Sequence, residues 1–176
     1  MKLGLLIAAV STLAVSAFAA VESGLKPGSP VGPFQVVDVT GPNKGKQLCY
    51  RCQYGIAPVM AAFVNGDAAK SEKFIGELQK IVDARKAKGL KSFVVFMSGP
   101  ESKDGIQKIA SVKKTTIPLT FLPKGAKEAD IASYKISSSA KNTVLLWKGS
   151  EVKGNFVDVD ASKLGTVEKA VDAMLQ

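Results

Sequence analysis

Seven consecutive residues, Pro58-Val59-Met60-Ala61-Ala62-Phe63-Val64, carry no hydrogen-bonding side chain. A run this short and this apolar reads as a strand buried on both faces, with Pro58 tolerated at its first position. Asn65-Gly66-Asp67 then breaks the chain, and Asp67 is placed to cap a helix. Phe74, Ile75, Leu78, Ile81 and Val82 recur at three- and four-residue intervals, which predicts an amphipathic helix over about 68–87, stopped at Gly89. Ser92-Phe93-Val94-Val95-Phe96-Met97 is a second buried strand. Two such strands joined by a helical crossover belong side by side in a parallel sheet, and that excludes all-α and all-antiparallel folds.

The remaining elements extend this pattern. Phe34 to Val39 reads as a strand, followed by a turn over 40–46 rich in Gly, Pro and Asn. Residues 102–114 read as a helix, 119–122 as a short strand and 126–134 as a short helix. Strands at 143–147 and 151–157 form a hairpin with Lys148-Gly149-Ser150 at its tip. Val167, Ala170, Val171, Met174 and Leu175 mark a closing helix. The order β, β, α, β, α, β, α, β, β, α predicts an α/β protein with a mixed sheet and helices on both faces. Residues 20–33, with three prolines and three glycines, read as an extended linker ahead of one domain over 34–176.

The first nineteen residues have a separate character. A basic Met1-Lys2 start, an apolar stretch from Leu3 to Phe18 and the small-x-small triplet Ala17-Phe18-Ala19 predict a secretory signal peptide cleaved after Ala19. The apolar run falls short of the roughly 20 residues that span a bilayer, so no stable membrane insertion is expected after cleavage. Export to a periplasmic or extracellular compartment follows.

Composition narrows the chemistry. The chain has 176 residues, two cysteines and no histidine. The absent imidazole excludes Ser-His-Asp and Cys-His catalysis and any histidine-ligated zinc or haem. The 24 Lys and Arg exceed the 15 Asp and Glu, but the basic residues are dispersed and a stacking platform is lacking, so nucleic acid is not an expected partner. Tyr50 and Tyr54 read as partly buried against the core, and Lys113-Lys114 as solvated surface.

Cys49-Tyr50-Arg51-Cys52 is the one reactive constellation. Two thiols three positions apart close a small ring, and dithiol exchange requires such a pair: one thiolate attacks a partner disulfide and the other resolves the mixed disulfide. From Asn43 to Gly66 the sequence has no acid, while Lys44, Lys46 and Arg51 are cationic, a balance that favours thiolate. Gln53 stands where a c-type haem motif needs histidine. The candidate catalytic residues are therefore Cys49 and Cys52, with a protein thiol or disulfide as partner and no cofactor. A purely structural disulfide and a two-thiolate Cu(I) site remain open readings of the same spacing.

The order of elements resembles the thioredoxin-like superfamily, a three-layer sandwich, over roughly 34–176. It is most similar to the redoxin branch, which includes peroxiredoxins and exported thiol–disulfide proteins. Gly45-Lys46-Gln47-Leu48 leading toward Pro58-Val59-Met60-Ala61-Ala62-Phe63 resembles that branch's approach to its first core strand. Thr143 through Val152 resembles its hairpin. The resemblance implies thiol–disulfide exchange, with the first cysteine, Cys49, as the more exposed nucleophile. It also implies a departure. The family's cysteines follow the core strand, where this chain has Asn65-Gly66-Asp67-Ala68-Ala69-Lys70-Ser71, so the usual thiols are displaced to the far side of that strand. The family's cis-proline would fall near Ala140-Lys141-Asn142 and is absent; Ile117-Pro118 lies one element earlier.

Overall fold

The structure, a computed structural model, describes residues 20–125 and 130–176. The expected signal peptide and residues 126–129 of the expected helix over 126–134 lie outside the described residues. A seven-stranded mixed sheet forms the middle layer: β1 (Val36–Asp38), β2 (Gln47–Leu48), β3 (Val59–Val64), β4 (Lys91–Phe96), β5 (Leu119–Phe121), β6 (Asn142–Lys148) and β7 (Glu151–Val157), in the spatial order β2-β1-β5-β4-β3-β6-β7. β3 is parallel to β4, and β4 to β5. β6 pairs antiparallel to β3 and leads into β7 through the hairpin, whose tip residues Gly149 and Ser150 both have positive φ, 61° and 68°. That backbone twist matches the twist of the two strands.

Four helices flank the sheet: α1 (Tyr50–Tyr54), α2 (Glu72–Arg85), α3 (Lys103–Lys113) and α4 (Leu164–Met174). β3 explains why its run needed no polar residue. Met60, Ala62 and Val64 face the core built with α2, α3 and α4, while Val59, Ala61 and Phe63 face a second core with Phe34, Tyr50 and Tyr134. Both sides of the strand are therefore removed from water. The expected helix over 68–87 is a 3-10 turn (Ala68–Ser71), then α2, then a 3-10 turn that ends at Gly89 in left-handed conformation. Of the expected helix over 126–134, the described part is one 3-10 turn, Ile131–Tyr134.

Residues 20–33 are extended, and they are packed. Leu25 and Val31 enter the second core. The Gly28 N–H donates to the Val152 carbonyl, the Val152 N–H to Ser29, and the Val31 N–H to Ser150. This lead-in segment thus covers part of the free side of β7, an edge that would otherwise present unpaired backbone groups. Two apolar residues among the glycines and prolines suffice to dock it.

α2 and α4 are tied by Arg85, whose guanidinium donates to both carboxylate oxygens of Asp172, each at 2.7 Å, and to Glu168 at 2.9 Å. The hydrogen bond from Arg85 holds the Asp172 carboxyl below the usual carboxylate range, against a smaller opposing effect of desolvation. A carboxyl depressed in the native state stabilises it fully above the unfolded value, near 4, and that contribution is lost as pH falls through the native value. Thermal unfolding from pH 6 to pH 3 should therefore show a larger fall in Tm for the wild type than for Asp172→Asn; equal falls would remove this pair from the acid response.

Candidate functional site

Cys49 and Cys52 are joined in a disulfide, with Cα atoms 5.2 Å apart. Cys49 is the N-cap of α1, and its Sγ accepts the Cys52 backbone N–H at 3.0 Å. The sequence pattern predicts no element over this segment. The five-residue helix carries Tyr50 and Tyr54 at the i, i+4 spacing that puts both on one face. Their ring centroids are 5.2 Å apart, and Tyr50 stacks on Phe93 at 5.3 Å. This aromatic face seats α1 on the sheet, and both tyrosines are buried or half-buried as expected.

Tyr50, between the cysteines, is 1% exposed, and its hydroxyl donates to Asp38 Oδ2 at 2.7 Å. Asp38, buried at the end of β1, also accepts the N–H groups of Thr40 (3.2 Å), Gly41 (2.7 Å) and Asn43 (2.8 Å). One carboxylate therefore organises the turn after β1 and receives the helix that carries the thiols. Burial, together with the hydrogen bond to Asp38, pushes the Tyr50 hydroxyl's pKa well up, so the hydroxyl stays protonated as the donor. Burial does the same for Tyr54, whose hydroxyl donates to the Ser92 carbonyl at 3.1 Å.

The acid-free setting expected from residues 43–66 is thus corrected: the fold brings in Asp38 from outside that window, where a linear reading along the segment does not find it. Arg51 is also committed elsewhere than its charge suggested. Its Nε donates to the Val31 carbonyl at 3.0 Å and its Nη2 donates to Ser150 Oγ at the hairpin tip. The helix is fastened at three places: to the β1 turn by Tyr50, to the sheet by Tyr54, and to the lead-in segment and hairpin by Arg51. A cue for Asp38 was present in the sequence, since it stands two residues before Thr40-Gly41-Pro42-Asn43, and Asp is a common turn former. The Arg51 contacts left none, because their partners are 20 and 99 positions away.

Gly41 closes this arrangement. A Cβ there would lie 2.7 Å from Asp38 Oδ2 and from Pro118 Cβ, and 2.8 Å from the Tyr50 hydroxyl oxygen. Gly41→Ala is expected to cost about 1–3 kcal/mol, as overpacking does. Gly165→Ala, in α4 with nothing within 4 Å, is the control and should be neutral or slightly stabilising. Urea denaturation of both variants checks this; a neutral Gly41→Ala would contradict it.

The two cysteines differ in access. Cys49 is 9% exposed, whereas Cys52 is exposed. This reverses the order of exposure that the family resemblance implied. The pair lies by the start of β3, since Gly149 N–H donates to the Ile56 carbonyl and Arg51 reaches Ser150. The region where the family carries its cysteines is at the other end of β3, about 17 Å away along a six-residue strand. There, Asp67 caps the turn by accepting the Ala69 N–H at 2.9 Å, as expected. Asn65 donates to the Ser137 and Ala140 carbonyls, and Asn142 exchanges hydrogen bonds with the Val159 backbone. That end is stitched by amide side chains and carries no thiol. The Ile117–Pro118 bond is trans. Among the described residues, no three His, Cys, Asp or Glu side chains gather as metal ligands.

No family model matches the chain, and comparison with curated proteins finds no match. Solved structures do match. The thioredoxin domain of a thiol-disulfide oxidoreductase from Bacteroides vulgatus superposes with a TM-score of 0.64 at 21% identity, covering 84% of this chain and 99% of that one. A thiol:disulfide interchange protein from a Bacteroides species gives 0.63 at 21%, covering 84% and 91%. A peroxidoxin from Mycobacterium tuberculosis gives 0.62 at 16%, covering 85% and 98%. The chain has a thioredoxin-like fold, a mixed sheet with α2, α3 and α4 on one face and α1 with the lead-in segment on the other, and its neighbours include both oxidoreductases and redoxins. No helix among the described residues is long and apolar enough to cross a membrane.

Proposed function

We propose that this is an exported thiol–disulfide exchange protein acting on protein thiols or disulfides through Cys49 and Cys52. The observation that carries the reading is an exposed disulfide cysteine, Cys52, on a helix that Tyr50, Arg51 and Tyr54 seat by contacts of their own. Tyr50, Arg51 and Tyr54 hold α1 by their own contacts, so the two thiols of the reduced state stay adjacent and ready to close again. The solved neighbours whose names state thiol–disulfide activity support the same chemistry. Peroxidase activity is not part of the proposal, because residues 65–71 hold no cysteine. Export rests on the Met1–Ala19 pattern; the intact mass of protein recovered from the periplasm of an expressing bacterium should correspond to a chain beginning at Ala20.

The burial of Cys49 favours a second reading, a structural clamp. The reduction potential separates the two. Exchange proteins lie between about −270 and −120 mV, and structural disulfides below about −300 mV. Equilibration with thiol buffers should place this pair in the upper range, with insulin reduction abolished in Cys52→Ser; a potential below −300 mV would establish the clamp.

A further inference from the structure

We propose that Cys52, the second cysteine of the pair, is the sulfur that exchanges with the partner, and that Cys49 is the leaving and resolving sulfur. The assignment rests on the exchange reading above. Three features carry it. Cys52 is exposed and Cys49 is 9% exposed, with the fully buried Tyr50 next to it in the chain. A thiol–disulfide exchange can begin only at a sulfur that an external thiolate reaches. The Cys52 N–H already donates to Cys49 Sγ at 3.0 Å, so negative charge developing on Cys49 meets a donor in place. Finally, Cys49 is followed by Tyr50, whose hydroxyl is held by Asp38, whereas Cys52 is followed by the exposed Gln53.

The reduction of the disulfide by a partner dithiol then runs in two steps. A partner thiolate attacks Cys52 Sγ; a new S–S bond forms to Cys52, the Cys49–Cys52 bond breaks, and its electron pair leaves on Cys49 as thiolate, still accepting the Cys52 N–H. The partner's second thiolate attacks the partner's own sulfur in the mixed disulfide and expels Cys52 as thiolate. The partner leaves as a disulfide, having lost two protons and two electrons, and Cys49 and Cys52 take up the protons. In the opposite direction Cys52 attacks and Cys49 resolves. This is the reverse of the order implied by the resemblance, and it follows from the displaced site: here the first cysteine caps a helix wedged against the sheet.

The test uses the oxidised wild-type protein and glutathione as the probe thiol. Early time points are quenched with acid, free thiols are alkylated, and the site of glutathione attachment is mapped by peptide mass spectrometry. The expected result is glutathione on Cys52 and alkylation on Cys49, favouring Cys52 by at least about tenfold, a difference worth ~1.4 kcal/mol in barrier. Attachment mainly on Cys49 would overturn the assignment while leaving exchange in place. Intact disulfide with no adduct on either cysteine, at potentials where glutathione reduces exchange proteins, would overturn the exchange reading and this assignment with it.

Discussion

Asp38→Ala is expected to lower stability by about 3–5 kcal/mol, the range for deleting one partner of a buried, charged hydrogen-bond cluster. The loss is large because four donors converge on one side chain: the Tyr50 hydroxyl and the N–H groups of Thr40, Gly41 and Asn43. Alanine leaves all of them facing a vacated volume. Asp38→Asn keeps one carbonyl oxygen for Thr40 and Gly41 but sets an amide against the Asn43 N–H. It should fall between alanine and wild type, at about 1–3 kcal/mol. Urea unfolding followed by fluorescence of the buried Trp147 measures both, since that indole is the chain's only tryptophan. A penalty under 1 kcal/mol for alanine would mean that the β1 turn and α1 hold themselves without the carboxylate.

The second expectation concerns the disulfide. Closing a four-residue loop removes only about 1.9 kcal/mol of unfolded-chain freedom on the loop-entropy relation. The double variant Cys49→Ser/Cys52→Ser should therefore stay folded, with a Tm lower by about 4–8 °C for a domain of this size, and should lose disulfide exchange entirely. Large loss of activity with small loss of stability is the signature of a site mounted on an independently held helix. A drop beyond about 4 kcal/mol would show that the bond, rather than Tyr50, Arg51 and Tyr54, is what seats α1.

What could be read from the sequence divides along physical lines. β3, β4, α2, the β6–β7 hairpin and α4 each announce themselves through short-range periodicity; the structure places the strands within about one residue of expectation, while α2 itself starts four residues later than the expected helix, after a 3-10 turn. The alternation of buried strands and a helical crossover sufficed for the sheet's parallel centre. α1 did not announce itself, because five residues are too few to show a period and the helix gains its stability from Phe93, Asp38 and Ser92, which are far away in the chain. β2, two residues long, is defined by its partner β1 rather than by its own composition. The thiol pair was visible as spacing. Its electrostatics were not, since charge near a site is a matter of distance in space, and Asp38 lies outside the window in which a linear count finds only lysine and arginine.

Ser150 shows how far the thiol-bearing helix depends on the completed fold. It sits at positive φ, where glycine or asparagine would be more at ease, yet its hydroxyl accepts from Arg51 and its carbonyl from Val31. Those contacts span 99 and 119 positions of chain and exist only once the hairpin, the lead-in segment and α1 have assembled. The Cys49–Cys52 ring spans three positions and asks nothing of the rest of the molecule. During biogenesis, bond formation and docking of the helix are therefore separable events: oxidation can come first, in a chain still unfolded, and carries no information about whether the domain has been built correctly. A quality check on this protein would have to sense the docked arginine, because the oxidised thiols report nothing beyond their own proximity.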